Sequence, residues 1–122
     1  MATIQGQELC SKVEAFLASG PLKGWVGGKG VEAASGSTFT THDPGSGELL
    51  AEVFSFQKED VDAAVNVANE AFKNSGWATM PVNERSAILH RLADAVEQQI
   101  ETISQIESLD CGKILEQARG DV

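Results

Sequence analysis

Between Pro81 and Lys113, apolar residues fall at Ile88, Leu89, Leu92, Val96, Ile100, Ile103, Ile106 and Leu109. The steps of three and four place them on one stripe of a helical surface for many turns, and a stripe of that length needs cover. Pro81 suits the first turn of a helix, where its missing N–H costs nothing. Gly112 and Lys113 supply a left-handed cap and a cation near the negative end of the dipole. The spacing predicts two helices in line, or one bent helix, with the break between Gln98 and Glu101.

A chain of 122 residues that is 42% hydrophobic can bury one core but not two. Its formal net charge is −9, with 18 acidic residues against 9 basic. Nucleic acid and anionic membrane surfaces both require a basic face, so neither is expected as a partner. No apolar run reaches spanning length, and the first residues lack the basic and apolar regions of a signal peptide. Two cysteines a hundred residues apart, with no CxxC, suit free thiols in a reducing compartment. The expectation is a soluble, cytoplasmic protein.

Met1 to Gly6 shows no periodicity and is expected to be loose. From Gln7 to Ala18, Leu9, Val13, Phe16 and Leu17 share one helical face, which Ser19-Gly20-Pro21 ends. Residues 24–31 read as two short strands around Gly27-Gly28, a pair suited to a tight turn. Their GGxG spacing matches neither a dinucleotide fingerprint nor a P-loop, so a hairpin is preferred to a phosphate cradle. Thr38 to His42 and Leu49 to Phe54 are rich in β-branched and apolar residues, and Asp43-Pro44-Gly45-Ser46-Gly47 between them is a turn by composition. Gln57 to Asn74 is the next helix, with Glu59 and Asp60 in its first turn and Lys73 in its last. Val61, Ala64, Val65, Ala68, Ala71 and Phe72 are its expected buried stripe. Trp77 is expected to close the end of the interface between this helix and the Pro81 helix. A last helix begins at Ile114 or Leu115, and the chain stops inside its pattern.

The expected class is therefore α+β, mostly helical with two β-hairpins. Residues 1–23 hold a helix and linker, 24–54 the hairpins and 57–122 the helices. No stretch assembles a catalytic set: GxSxG, HExxH and GxGxxG are all absent. Cys10 lacks a visible base. Cys111, at a helix carboxyl end, faces the dipole end that opposes a thiolate. His90, beside Arg91, falls on the polar side of its helix. Asp110 is the exception, because a carboxylate among the free carbonyls of a helix terminus is an arrangement a cation would stabilise, with a capped or ion-paired aspartate as the plain alternative.

Several pieces in order resemble the amino-terminal part of the aldehyde dehydrogenase superfamily. They are the TxDPxSGE turn from Thr41 to Glu48, Glu59-Asp60-Val61-Asp62 with Ala64-Val65, Trp77, Glu84-Arg85, Leu89 with Leu92-Ala93-Asp94, and ESLDCGK from Glu107 to Lys113. Each piece is weak and the ordered series is strong, covering the chain from Trp25 onward. The form LDCGK is similar to betaine aldehyde and aminoaldehyde dehydrogenases.

The resemblance implies part of an α/β, Rossmann-like cofactor-binding domain, NAD or NADP as cofactor, and oxidation of a small-molecule aldehyde to its acid. It implies that the nucleophilic cysteine, the glutamate that activates water and the main cofactor residues lie later in the family's sequence, so no catalytic or cofactor-binding residue is assigned here. It also implies a monovalent cation, K+ or Na+, at Thr41, His42 through its backbone carbonyl, and Asp110. The implied partners are the remainder of the same polypeptide and further copies, as a homodimer or homotetramer. Asp43 stands where asparagine is usual and Ile114 where proline is common. An acidic residue near Asp121 borders the substrate entrance in some aminoaldehyde members, at a longer spacing than here. The competing expectation is a free-standing helical interaction module without catalysis.

Overall fold

A computed structural model describes residues 3–122. Three antiparallel hairpins and five helices follow one another: β1 (Thr3–Ile4), β2 (Gln7–Glu8), α1 (Ser11–Leu17), β3 (Gly24–Val26), β4 (Lys29–Val31), β5 (Thr38–His42), β6 (Leu49–Phe54), α2 (Lys58–Asn74), α3 (Val82–Glu97), α4 (Ile100–Cys111) and α5 (Leu115–Asp121). The α+β expectation stands, and the β5–β6 boundaries match the predicted strands.

The first hairpin is a correction. Thr3 pairs with Glu8 and Ile4 with Gln7 across a turn in which Gln5 and Gly6 both have positive φ, so residues 3–6 are not loose. Met1 and Ala2 lie outside the described residues. The predicted helix from Gln7 correspondingly shortens to begin at Ser11, after an extended Cys10. Strands of two residues are too short to show alternation, which is why periodicity missed them. Gly27 and Gly28 make the β3–β4 turn with φ of 60° and 79°, as their sequence suggested. In β5–β6 the register shifts between Thr41, opposite Ala51, and His42, opposite Leu49, leaving Leu50 as the extra residue of a bulge. Leu50 packs against the core. Leu22 extends this sheet on the other side, donating its N–H to Glu52 at 2.7 Å and accepting from Phe54 at 3.0 Å.

The core lies where β1, α1, α4 and α5 meet: Ile4, Val13, Leu109 and Leu115 are buried, with Leu9, Cys10, Leu17, Leu50 and Ile106 against them. Burial of each large side chain there contributes about 1.5–3 kcal/mol. A polar seam runs beside it on α4. Gln105 Oε1 accepts the Cys10 N–H at 2.8 Å, and the Ser108 hydroxyl donates to the Lys113 carbonyl at 2.5 Å. The α3–α4 break falls at Gln98 and Gln99, inside the predicted interval, and Lys12 Nζ donates to Gln99 Oε1 at 2.8 Å.

Two predicted faces are open. On α2, Val61, Val65 and Phe72 are exposed; Ala64 of the predicted stripe is half-buried and faces β3–β4 beside Ala63 and Val67, which are themselves exposed. Along the long stripe Leu89, Leu92, Ile100 and Ile103 are exposed, and only Leu109, near the end of α4, is buried. The period identifies the apolar face; it does not supply the cover. Trp77 lies against Val82, Arg85 and Leu89 of α3 and does not seal an α2–α3 interface, since those helices share no extended packing among the described residues.

Candidate functional site

The end of α4 meets the β5–β6 turn. Gly112 adopts φ 72° and terminates α4 as predicted. A Cβ there would lie 3.0 Å from Pro44 Cγ, a tight contact that adds to the positive φ in favouring glycine. The contact brings Thr41 and Asp110 together across the two elements, with the Thr41 hydroxyl donating to Asp110 Oδ1 at 3.1 Å. Asp110 is exposed and Thr41 half-buried. A hydroxyl, a carboxylate and the free carbonyls of a helix end are oxygen donors of the kind hard cations take. His42 follows Thr41 directly, at the register shift, with its imidazole exposed. Of the three positions expected to hold a monovalent cation, the structure brings Thr41 and Asp110 into contact. Among the described residues no three His, Cys, Asp or Glu side chains cluster as metal ligands.

Asp43 is committed to the turn. Its Oδ1 accepts the Gly45 N–H at 2.8 Å and its Oδ2 accepts the Ser46 hydroxyl at 2.8 Å, and these bonds hold its carboxyl below the usual range. An asparagine would offer one acceptor oxygen where this aspartate uses two. Asp60 is likewise engaged: Oδ2 accepts the Gln57 N–H at 2.9 Å in a capping box, and Oδ1 accepts the Ala34 N–H at 2.9 Å. Both bonds lower its pKa, the Gln57 bond more strongly.

The two cysteines are free and far from nucleophile geometry. Cys10 is half-buried with Sγ 3.8 Å from Thr102 Oγ1, and Cys111 Sγ donates to the Glu107 carbonyl at 3.0 Å. His90 is exposed on α3, as its position suggested. The Gly27-Gly28 turn backs onto α2: a Cβ on Gly27 would come within 3.2 Å of Val67 Cγ1. Between that hairpin and α2 lies a groove of about 500 Å³ lined chiefly by Val26, Val31, Phe56, Ala64 and Val67. Its chemistry is packing.

Sequence reasoning missed the polar joint between α4 and α5. Lys113 Nζ pairs with Glu107 at 2.5 Å and with Asp121, which together raise its pKa, Asp121 more strongly. Asp121 is thus held by Lys113 on the surface. Arg119 Nε donates to both Glu101 oxygens at 2.8 and 3.0 Å, and this fork lowers the Glu101 carboxyl and raises the guanidinium. Its Nη2 also donates to Gln7 Oε1 at 3.1 Å. Periodicity does not signal the Arg119 contacts with Glu101 and Gln7, which join residues far apart in the chain.

These elements, small hairpins and helices with two apolar faces uncovered, describe a piece of a larger α/β architecture. A model of the Aldehyde dehydrogenase family matches residues 31–122. The chain belongs to the aldehyde dehydrogenase family. An aldehyde dehydrogenase from Bacillus cereus, solved as its NAD+ complex, is 42% identical with a TM-score of 0.87, over 93% of this chain and 23% of that one. The mitochondrial benzaldehyde dehydrogenase of Antirrhinum majus is 44% identical over 92 residues, 75% of this chain and 17% of the relative. Betaine aldehyde dehydrogenase from Staphylococcus aureus, also with NAD+, is 28% identical with a TM-score of 0.79, over 86% of this chain and 21% of that one. The chain thus spans less than a quarter of the length of each relative.

Proposed function

We propose that this chain is the amino-terminal part of an NAD(P)-dependent enzyme that oxidises an aldehyde to its acid. The likeness to the Bacillus cereus enzyme, in fold and in sequence together, carries this reading. Within such an enzyme the chain supplies scaffold and no reacting group. Neither Cys10 nor Cys111 acts as nucleophile, given their packing and hydrogen bonds. Bound NAD(P) would accept the hydride at residues outside this segment. The decisive experiment follows absorbance of reduced nicotinamide when the full-length protein meets a panel of aldehydes. Aldehyde-dependent reduction is expected; no reduction of NAD or NADP with any aldehyde would leave the second reading, a helical interaction module. The open apolar faces of α2 and α3 are what that module would use.

Two finer assignments belong to the same proposal. K+ or Na+ sits at Thr41, Asp110 and the His42 carbonyl, supported by the Thr41–Asp110 contact. Thr41→Val removes the hydroxyl and should abolish any rise in melting temperature that K+ or Na+ gives over an organic cation; an undiminished rise would place the ion elsewhere. Betaine aldehyde or an aminoaldehyde is the substrate class favoured by the Leu109 to Lys113 form alone, and the aldehyde panel tests it. Assembly as a homodimer or homotetramer is tested by light scattering on the full-length protein.

A further inference from the structure

The turn between β1 and β2 contains an anomaly. Gln5 has φ 47° and Gly6 φ 81°, so both central residues are in the left-handed region of a type I′ turn. Asparagine, aspartate or glycine ordinarily occupies the first of these positions, because a short polar side chain or none tolerates positive φ. Glutamine adds a methylene to asparagine and removes that local advantage. Its length is used elsewhere. Gln5 Nε2 donates to the Lys113 carbonyl at 3.1 Å, and Gln5 Oε1 accepts the Leu115 N–H at 3.1 Å.

Those two groups bracket a joint that lacks a cap of its own. Leu115 is the first residue of α5, and the residue before it, Ile114, has no side chain able to accept an N–H. Lys113 follows the left-handed Gly112 that ends α4, and its carbonyl also accepts the Ser108 hydroxyl. One amide thus joins the linker carbonyl that Ser108 of α4 also holds to a donor left by α5. Gln7 adds a second tie from the same hairpin through Arg119, which is itself forked onto Glu101 of α4. Ile4, 6% exposed, anchors the hairpin in the core against Leu115 and Leu109.

We propose that the amino-terminal hairpin is a strap across the α4–α5 joint, with Gln5 as the clasp that caps α5 from a distant part of the chain and fixes its angle to α4. Gln5 keeps a disfavoured backbone conformation because only that conformation aims its side chain at the joint. Displacing the hairpin, by truncation or by an added segment, then loosens the start of α5.

Hydrogen exchange on the full-length protein tests this without reference to catalysis. Gln5→Asn suits the turn better but falls a methylene short of the joint. Exchange in peptides spanning 113–118 is expected to rise roughly five- to tenfold, while the pairing of residues 3–8 is kept. Gln5→Glu retains the length and the acceptor for Leu115 but loses the donor to the Lys113 carbonyl, so protection at Leu115 is expected to fall between the parent and Gln5→Asn. Unchanged exchange over 113–118 in Gln5→Asn, or equal loss of protection at Leu115 in both variants, would overturn the clasp and leave Gln5 a turn residue only.

Discussion

Gly24→Ala is the most demanding test of how the β3–β4 hairpin is seated. Gly24 pairs with Val31 in extended backbone, so the substitution carries no left-handed penalty and its cost is steric. A Cβ built on Gly24 falls 2.5 Å from Phe56 Cζ and 2.6 Å from Cε2, closer than real Cβ contacts come. The obstacle is a ring tip. Phe56 lines the groove beneath α2 with Val67 and Ala64, so the ring can move only by disturbing that packing. Overpacking of this kind costs about 1–3 kcal/mol. Phe56→Leu deletes the two clashing atoms and alone loses apolar contact on the order of 1 kcal/mol. In the double variant the costs should fall below their sum by about 0.5–3 kcal/mol, the range for residues in direct contact. Native-state hydrogen exchange of the β3 and β4 amides reads each local opening free energy, even within a multidomain protein. If Gly24→Ala lies within about 0.5 kcal/mol of the parent, or if Phe56→Leu does not relieve it, the seating of the hairpin against Phe56 is wrong.

Other perturbations follow from the same structure. Leu115→Ala removes a side chain 2% exposed among Ile4, Val13 and Leu109, and should cost about 2–5 kcal/mol by thermal or chemical unfolding. Asp43, Asp60 and Glu101 have pKa values below their ordinary ones, so their contribution to stability is complete above the unfolded carboxylate range and is lost as pH falls through the lowered folded values. Melting temperature should therefore decline on the acid side, with a shallower decline in Asp43→Asn with Asp60→Asn; an unaltered acid limb would refute the assignment. The 122-residue chain alone leaves Val65, Phe72, Leu89 and Leu92 exposed and should self-associate with rising concentration in light scattering. A monodisperse, cooperatively melting monomer would contradict that.

Much of the fold was legible because it is local. The Thr38–His42 and Leu49–Phe54 strands, the Gly27-Gly28 turn, the Gly112 cap and the helix start after Ile114 each rest on residue chemistry within a few positions. The amino-terminal hairpin was not legible. Its strands have two residues each, and its stability comes from Ile4 in the core and Gln5 at a joint 110 residues away. The candidate cation site stood between these cases. Asp110 drew attention as a carboxylate at a helix carboxyl end, but its contact with Thr41 depends on α4 docking against the Pro44 turn, a tertiary fact.

The same distinction explains the open stripes. Hydrophobic periodicity reports that a face is selected to be dry, and it is silent about which chain segment dries it. In α4 the stripe meets α1, β1 and α5, and Leu109 is buried; one helix earlier, Leu89 and Leu92 continue the same register and stay exposed. Ile100 and Ile103, just past the break at Gln98 and Gln99, are exposed as well, so cover is complete only toward the end of α4, and Lys12 ties α1 to the break itself. Residues 3–18 and 100–121 thus close on one another, while α2 and α3 present apolar faces that nothing in this segment covers. For a segment under a quarter the length of its relatives, that asymmetry locates where the folding information is complete: the strap, α1, α4 and α5 specify one another, and the α2–α3 arm specifies only half of an interface.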